Sequence, residues 1–289
     1  MRSGITALAC LALLVCLAPA AALAEDAGDP EQIVRKTLSA HVRDPDGQVA
    51  ALADLIWPHG QADPALQAVA REHLVGFGKN AFPSLRRKLP TIPMEYRADL
   101  VNAAREAYGL VIGGRPPEYL TIMYDAVWFG DRNARLAAIP EIMRFKYSRP
   151  LLPLIDAAHE DETLVPVIIE TLAVLQDERA RVWLGSLVSE PGNPHQRAAA
   201  AALARIGKKA LVPLRECLIS EDRPTRENAA RALAASAGSA ELTFVYDYLE
   251  AFPEDDPAAL EGLRRRARLL ERALQELDEE LSESGEPEI

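Results

Sequence analysis

The chain has 289 residues, of which 49% are hydrophobic, with a formal net charge of −11 and three cysteines. This length and apolar fraction suffice for one large domain or for an extended array of repeats. The acidic balance argues against nucleic acid as a partner, because phosphate binding depends on a basic surface.

Residues 1–24 have the layout of a secretory signal peptide. Arg2 supplies a short positive start, Ile5 to Leu17 are almost unbroken apolar sequence, and Ala22-Leu23-Ala24 is a small-x-small cleavage signal. The alternative is a retained membrane anchor, but the apolar run is shorter than the ~20 residues that a span needs. We therefore expect an exported protein, periplasmic or secreted, with no membrane association after cleavage.

Cysteine usage predicts a fold without an internal disulfide. Cys10 and Cys16 lie inside the leader, so cleavage leaves Cys217 alone. Its position within the helical phrase LRECLIS favours a small core residue, with a reactive thiol as the alternative.

The next segment, residues 25–62, is predicted to be an N-terminal helical cap. Its sequence at 29–57, DPEQIVRKTL…VAALADLIW, has the spacing of two helices.

A repeated helix pair is predicted over residues 63–252. In QRAAAAALARIG, 196–207, the residues Ala199, Ala200, Leu203 and Ile206 fall on one helix face. Apolar residues recur at these places in steps of about 30 residues. A second helix follows each first one, and its apolar markers are Leu85/Leu89, Leu154/Ala158, Leu184/Val188, Leu214/Leu218 and Val245/Leu249. Strand alternation is nearly absent, so we expect an all-α fold.

Two phrases make the repeat visible. GKNAFPSLRRKL at 78–89 and GKKALVPLRECL at 207–218 share a Gly-Lys opening, an Ala at the fourth place and a Leu-Arg…Leu finish. Each is predicted to hold the end of a first helix, a turn and a second helix.

The stretch from Asn193 to Asp222, NPHQRAAAAALARIGKKALVPLRECLISED, resembles short bacterial HEAT-like repeats of the PBS-lyase type. It has their early Arg, Ala-rich face, Leu-x-x-Ile-Gly exit and Pro-Leu…Leu second helix. The resemblance is good over 131–252 and looser over 63–130. It implies a right-handed α-solenoid of about six helix pairs, with the N-terminal cap and a long C-terminal helix. It also implies protein binding on a curved surface, although some relatives are bilin lyases and others resemble helical DNA glycosylases.

Motifs that carry chemistry are missing from the sequence. Gly113-Gly114 lacks the spacing of a phosphate loop, and the five histidines have no i, i+4 pairing for zinc. His159 stands beside Glu160, Asp161 and Glu162, a pattern more typical of a solvated turn than of a cation site. We therefore predict no catalytic residues, metal site or cofactor.

Two features are candidates for partner binding. One is an insertion, Gly109 to Pro117, between the helices of one pair; a slack turn is an equal alternative. The other is a basic and aromatic set on the second helices, which commonly line the concave side of a solenoid. Its members are Arg86, Arg87, Lys88, Arg215, Tyr246 and Tyr248.

A C-terminal amphipathic segment is predicted at 253–282, with a helix from Pro257 to Leu281 and a disordered acidic tail at 283–289. Its leucines repeat every seven residues, which is a coiled-coil seam. The seam either caps the last repeat or joins a second copy through Leu263, Leu270, Leu274 and Leu277.

These patterns favour an exported, non-catalytic scaffold that binds another protein through its concave face. The alternatives are an enzyme of the pigment-lyase type and an assembly protein acting through the C-terminal helix.

Overall fold

A computed structural model describes residues 29–58, 63–110 and 117–284. Within these ranges the chain forms fifteen α-helices and no strand, so the predicted all-α class is confirmed. The leader, most of the Gly109 to Pro117 insertion and the end of the acidic tail lie outside the described residues. None of the helices described is long and apolar enough to span a bilayer.

The chain divides into two compact units, residues 1–141 and 142–289. Unit 1 contains α1 (Pro30–Ala40), α2 (Pro45–Ile56), α3 (Pro64–Gly76), α4 (Phe82–Lys88), α5 (Arg97–Gly109) and α6 (Pro117–Phe129). Helix α7 (Arg132–Phe145) crosses the division. Unit 2 contains α8 (Leu151–Glu160), α9 (Val165–Leu175), α10 (Arg181–Ser189), α11 (Gln196–Ile206), α12 (Val212–Cys217), α13 (Arg223–Ser236), α14 (Leu242–Ala251) and α15 (Pro257–Ser284).

Helices within each unit pack on the helix two places further along the chain. In unit 1, α1 contacts α3 and α3 contacts α5, while α2 contacts α4 and α4 contacts α6. In unit 2, α9, α11, α13 and α15 contact one another in succession, and α10 contacts α12. We call the odd-numbered helices first helices and the even-numbered ones second helices.

The buried faces of the helices follow the apolar period of the sequence. Ala199, Ala200 and Leu203 of α11 are buried, as are Leu184 and Leu214 on the second helices beside it. Burying one large aliphatic side chain contributes about 1.5–3 kcal/mol, so contacts between successive helices dominate the stability of each unit.

The two copies of the Gly-Lys phrase have the same local structure. Gly78 and Gly207 have positive φ angles of 54° and 110°, which glycine adopts without a steric penalty. A 3-10 turn follows each glycine, at Gly78–Ala81 and Lys208–Ala210, and then a second helix begins.

A buried ion pair joins α13 to the turn before α15. Arg226 donates from Nε and Nη2 to the two carboxylate oxygens of Asp255, at 3.0 and 2.9 Å. Tyr248 of α14 donates to the same carboxylate at 2.9 Å, and the Arg226 guanidinium lies 4.1 Å from the Phe252 ring centroid. Because Asp255 is 1% exposed, its charge depends on these partners.

The repeat has a neutral version of this contact one step earlier. Gln196 of α11 is buried and donates from Nε2 to Thr225 Oγ1 at 2.7 Å. Gln196 and Thr225 precede Arg226 and Asp255 by about one repeat length. The same two repeat positions therefore link neighbouring repeats twice. Gln196 and Thr225 do so through a hydrogen bond from an amide to a hydroxyl, and Arg226 and Asp255 do so through an ion pair.

The apolar seam of α15 is divided between core and surface. Leu260, Leu263 and Ala267 are buried, where α15 packs on α13 and α14, whereas Leu274 and Leu277 are 40% and 50% exposed. Leu263 therefore cannot reach a second copy as the sequence suggested, because its side chain is covered by its own chain. The first half of the seam acts as a cap and the second half is open.

Replacing Arg226 by Met should lower the free energy of unfolding by about 3–5 kcal/mol, because the buried Asp255 loses its two-point ion pair and keeps only the Tyr248 hydroxyl and the more distant Arg223, at 3.5 Å. Urea unfolding followed by circular dichroism measures this. The matched control is Arg205→Met, which removes an exposed ion pair with Glu170, 48% and 54% exposed, and should cost no more than about 1 kcal/mol. Equal losses for the two variants would show that the buried pair is not needed for stability.

Candidate partner-binding site

The three bases predicted on α4 are tied to acids of neighbouring second helices. Their ion pairs are Arg86–Asp125 at 3.1 Å, Arg87–Asp46 at 3.2 Å and Lys88–Asp54 at 2.5 Å. The first acid belongs to α6 and the other two belong to α2. Each exposed pair contributes at most ~1 kcal/mol, but together they offset the charge of this surface. The bases of unit 1 therefore hold second helices to one another.

The predicted aromatic pair has two different environments. Tyr248 is 1% exposed, and burial together with its hydrogen bond to Asp255 raises the pKa of its phenol. It is a core residue and not the surface residue that the sequence suggested. Tyr246 is 42% exposed and donates to Glu271 of α15 at 2.5 Å. Only Tyr246 remains at the surface.

Arg215 of α12 lies at the edge of an open part of unit 2. Its guanidinium carbon lies 5.2 Å from the centroid of the Phe244 ring, and Nη1 lies 4.0 Å from the buried carboxylate of Glu241. Neither contact is a close hydrogen-bonded pair. Arg215 is therefore less committed to the fold than the bases of α4.

Beside Arg215, a groove of about 630 Å³ runs between α10 and α12. The two helices approach closely at Gly185, where an added Cβ would lie 2.8 Å from the Cβ of Pro213. Glycine is needed here for close packing, since any larger side chain would displace Pro213. The close contact forms the floor of the groove, and the side chains on either side form its walls.

Apolar side chains stand exposed on the walls of this groove. Val182 is 74% exposed, Val212 41% and Ile219 77%. Val182 and Val212 occupy the same place in successive repeats, at the start of a second helix, and Leu152 of α8 holds that place one repeat earlier at 65% exposure. Sequence reasoning missed this apolar row, because on the second helices it assigned function to charged and aromatic residues only.

A basic depression of about 410 Å³ adjoins the groove and shares Arg181 and Val212 with it. Lys208, Lys209 and Arg215 also line it. Lys209 pairs with Glu178 at 3.2 Å. Among the residues that the structure describes, the side chains of Arg181 and Lys208 have neither a hydrogen bond nor an ion pair.

Two acids also line these depressions, and neither forms an ion pair with Arg181 or Lys208. Glu241 is buried and accepts a hydrogen bond from the backbone of Gly238 at 2.8 Å, and Glu216 lines only the larger groove. Apolar rows beside unpaired bases are suited to binding an acidic, amphipathic chain segment. We call the two adjoining depressions together the unit 2 groove.

Cys217 lies beneath this groove and is 4% exposed. Burial, with a smaller effect from Glu216, raises the pKa of its thiol to about 11. The thiol is therefore neutral near pH 7, which suits a packed side chain and not a nucleophile.

The residues described include no group of three or more His, Cys, Asp or Glu side chains arranged to hold a metal ion. His159, which has acidic neighbours in sequence, accepts a hydrogen bond at Nε2 from the Trp183 indole at 3.1 Å. That nitrogen is therefore occupied by a contact within the fold.

No known family model matches the chain. A comparison with curated proteins likewise found no match.

The thiol of Cys217 should resist labelling in the folded protein at pH 7–8, because it is both covered and protonated. A chromogenic disulfide reagent should release its dye slowly from native protein and stoichiometrically after unfolding in urea. Prompt labelling of native protein at pH 7 would contradict the assigned environment of Cys217.

Proposed function

We propose that the protein is an exported scaffold that catalyses no reaction and binds another protein through the unit 2 groove. In this proposal the helix pairs form a right-handed HEAT-like solenoid, and its second helices line the concave face. Contacts between helices two places apart, from α1 to α6 in unit 1 and among α9, α11, α13 and α15 and between α10 and α12 in unit 2, support such stacking within each unit. The leader-like layout of residues 1–24 is the basis for proposing a periplasmic or secreted location.

One observation carries this proposal. The unit 2 groove combines exposed Val182 and Val212 with Arg181 and Lys208, whose charges are not offset by partners within the described chain. The formal net charge of the whole chain is −11, so this open basic patch is opposite in sign to the net charge of the chain. Solvent-exposed apolar rows bordered by charge mark interaction surfaces more often than they mark plain solvated faces.

The chemistry of the groove specifies the kind of partner. Val182 and Val212 lie on neighbouring second helices, and the axes of packed helices are about 8–10 Å apart. A partner helix presents residues i and i+7 about 10.5 Å apart along one face. An acidic amphipathic helix with apolar residues seven apart would therefore contact both valines and place carboxylates near Arg181 and Lys208.

The basic set of α4 has a different proposed role. Arg86, Arg87 and Lys88 lie in acid–base pairs between second helices, so a partner would have to displace an internal acid to reach each one. We place partner binding in unit 2, with Arg215 and Tyr246 at its margin.

Val182→Cys provides a direct test, because Cys217 is buried and should not compete for a thiol-reactive photo-cross-linker. After illumination with the exported proteins of the source cell, position 182 should form a discrete cross-linked product, identified by mass spectrometry. The control is the same label at Lys36→Cys on α1, an exposed position outside the groove. Equal products from both positions, or none from 182, would argue against the groove.

Reversing the two unpaired charges, Arg181→Glu with Lys208→Glu, should weaken partner capture by about tenfold or more, since each change replaces attraction by repulsion. Binding of the cross-linked partner, once purified, is measured by calorimetry at two salt concentrations. The matched control is Lys36→Glu with Lys79→Glu, which gives the same net charge change on exposed residues of unit 1. An equal loss in both double variants would indicate a non-specific charge effect.

A further inference from the structure

The open half of α15 has an apolar stripe that its own chain does not cover. Leu270 is half-buried, and Leu274 and Leu277 are 40% and 50% exposed. With Ala273, they occupy places i, i+3, i+4 and i+7, which form one continuous helix face. We call residues 270–280 the distal segment of α15.

The distal segment is strongly acidic. Its acids are Glu271, Glu276, Asp278, Glu279 and Glu280, against the one base Arg272. Glu271, Asp278 and Glu280 flank the stripe at the places that face the other helix in a coiled coil. An antiparallel pair of distal segments would bring these carboxylates together, and like charges at such places disfavour that pair.

The unit 2 groove is complementary to this segment in charge and spacing. Leu270 and Leu277 are about 10.5 Å apart along the helix, close to the distance between neighbouring second helices. Val182 and Val212 stand exposed on neighbouring second helices, with Arg181 and Lys208 among the residues that line the same two depressions. Both surfaces lie in unit 2 and both lack a cover among the described residues.

We propose that the distal segment of α15 from one copy docks in the unit 2 groove of a second copy. The proposal rests on the groove assigned above as the partner-binding site, and it names a partner: this same chain. In the contact, Leu274 lies between α10 and α12, and Leu270 and Leu277 face Val212 and Val182 in either direction. Glu280 and the net negative charge of the segment lie beside Arg181, Lys208 and Arg215.

This contact joins two different surfaces, so it is heterologous. After a single contact one copy keeps a free groove and the other keeps a free distal segment, and further copies add until a ring closes or a chain extends. A single helix in a groove is a small interface, so association should depend on protein concentration and weaken as salt rises.

Two double variants of the full chain separate the surfaces. The tail variant is Leu274→Glu with Leu277→Glu, and the groove variant is Val182→Glu with Val212→Glu. All four side chains are exposed by 40% or more, so folding should survive, as circular dichroism can verify. The control is Val42→Glu with Leu110→Glu, exposed apolar residues of unit 1 at 69% and 60%.

Sedimentation velocity over a concentration series gives the result. Wild type and control should associate, and the tail and groove variants should each be monomeric. An equimolar mixture of the two variants should form a one-to-one dimer, because each supplies the surface that the other has lost. An isologous pairing of α15 with itself cannot give this complementation.

Three outcomes would overturn the proposal: a wild type that stays monomeric, a groove variant that associates like the wild type, or a mixture that stays monomeric. The cross-linking test at position 182 is independent of these. If it captures a different protein while the wild type stays monomeric, self-docking is wrong and the proposed scaffold function stands. If it captures nothing and no association occurs, both are wrong.

Discussion

The constraint behind this structure is that a single helix pair cannot bury its own apolar face. Each pair has an inward face made of short residues such as Ala199 and Ala200 on first helices and of leucines such as Leu184 and Leu214 on second helices. These faces are covered only by the next pair, so stability comes from contacts between neighbours. The last pair has no further neighbour, and the first half of α15 takes that place.

The ion pair in the turn before α15 holds this C-terminal cap against α13. Arg226 and Asp255 occupy the places that hold Gln196 and Thr225 one repeat earlier, but with full charges and with Tyr248 as a further donor. A buried ion pair is costly to form and more costly to break. It specifies which turn meets α13, since an apolar contact there would tolerate sliding of the cap.

The repeat predicted which residues point inward, and it did so because burial has a helical period. It did not predict which acids of neighbouring helices lie beside a given base. Arg86 and Arg181 look alike in sequence, yet Arg86 meets Asp125 whereas Arg181 meets no partner among the described residues. Tyr248 looked like a surface residue because its burial depends on Asp255 in the turn beyond α14.

The unit 2 groove left a signal in the sequence that is visible once the helices are placed. Leu152, Val182 and Val212 recur at one place in the repeat, as the buried markers do, but at the solvent-facing start of the second helix. Apolar residues that keep the period and yet lie outside the buried face are not explained by the core. Binding of another chain, as proposed, would cover this row.

The length of α15 is relevant to the identity of the chain that would cover this apolar row. Capping the last pair uses the helix up to about Ala267, and Tyr246 still holds it at Glu271, but the helix continues to Ser284. The extension keeps its leucines at seven-residue spacing and changes its charge from the arginines near Arg265 to acids beyond Glu276. Capping the last helix pair requires neither the seven-residue spacing of leucines nor the change of charge along α15. The sign of that charge is opposite to the open bases of the groove, so one chain carries both halves of a contact that it does not make with itself. A foreign acidic amphipathic helix would compete with the second copy for the groove. To displace that copy, the foreign partner would have to bind the groove more tightly or be present at a higher concentration.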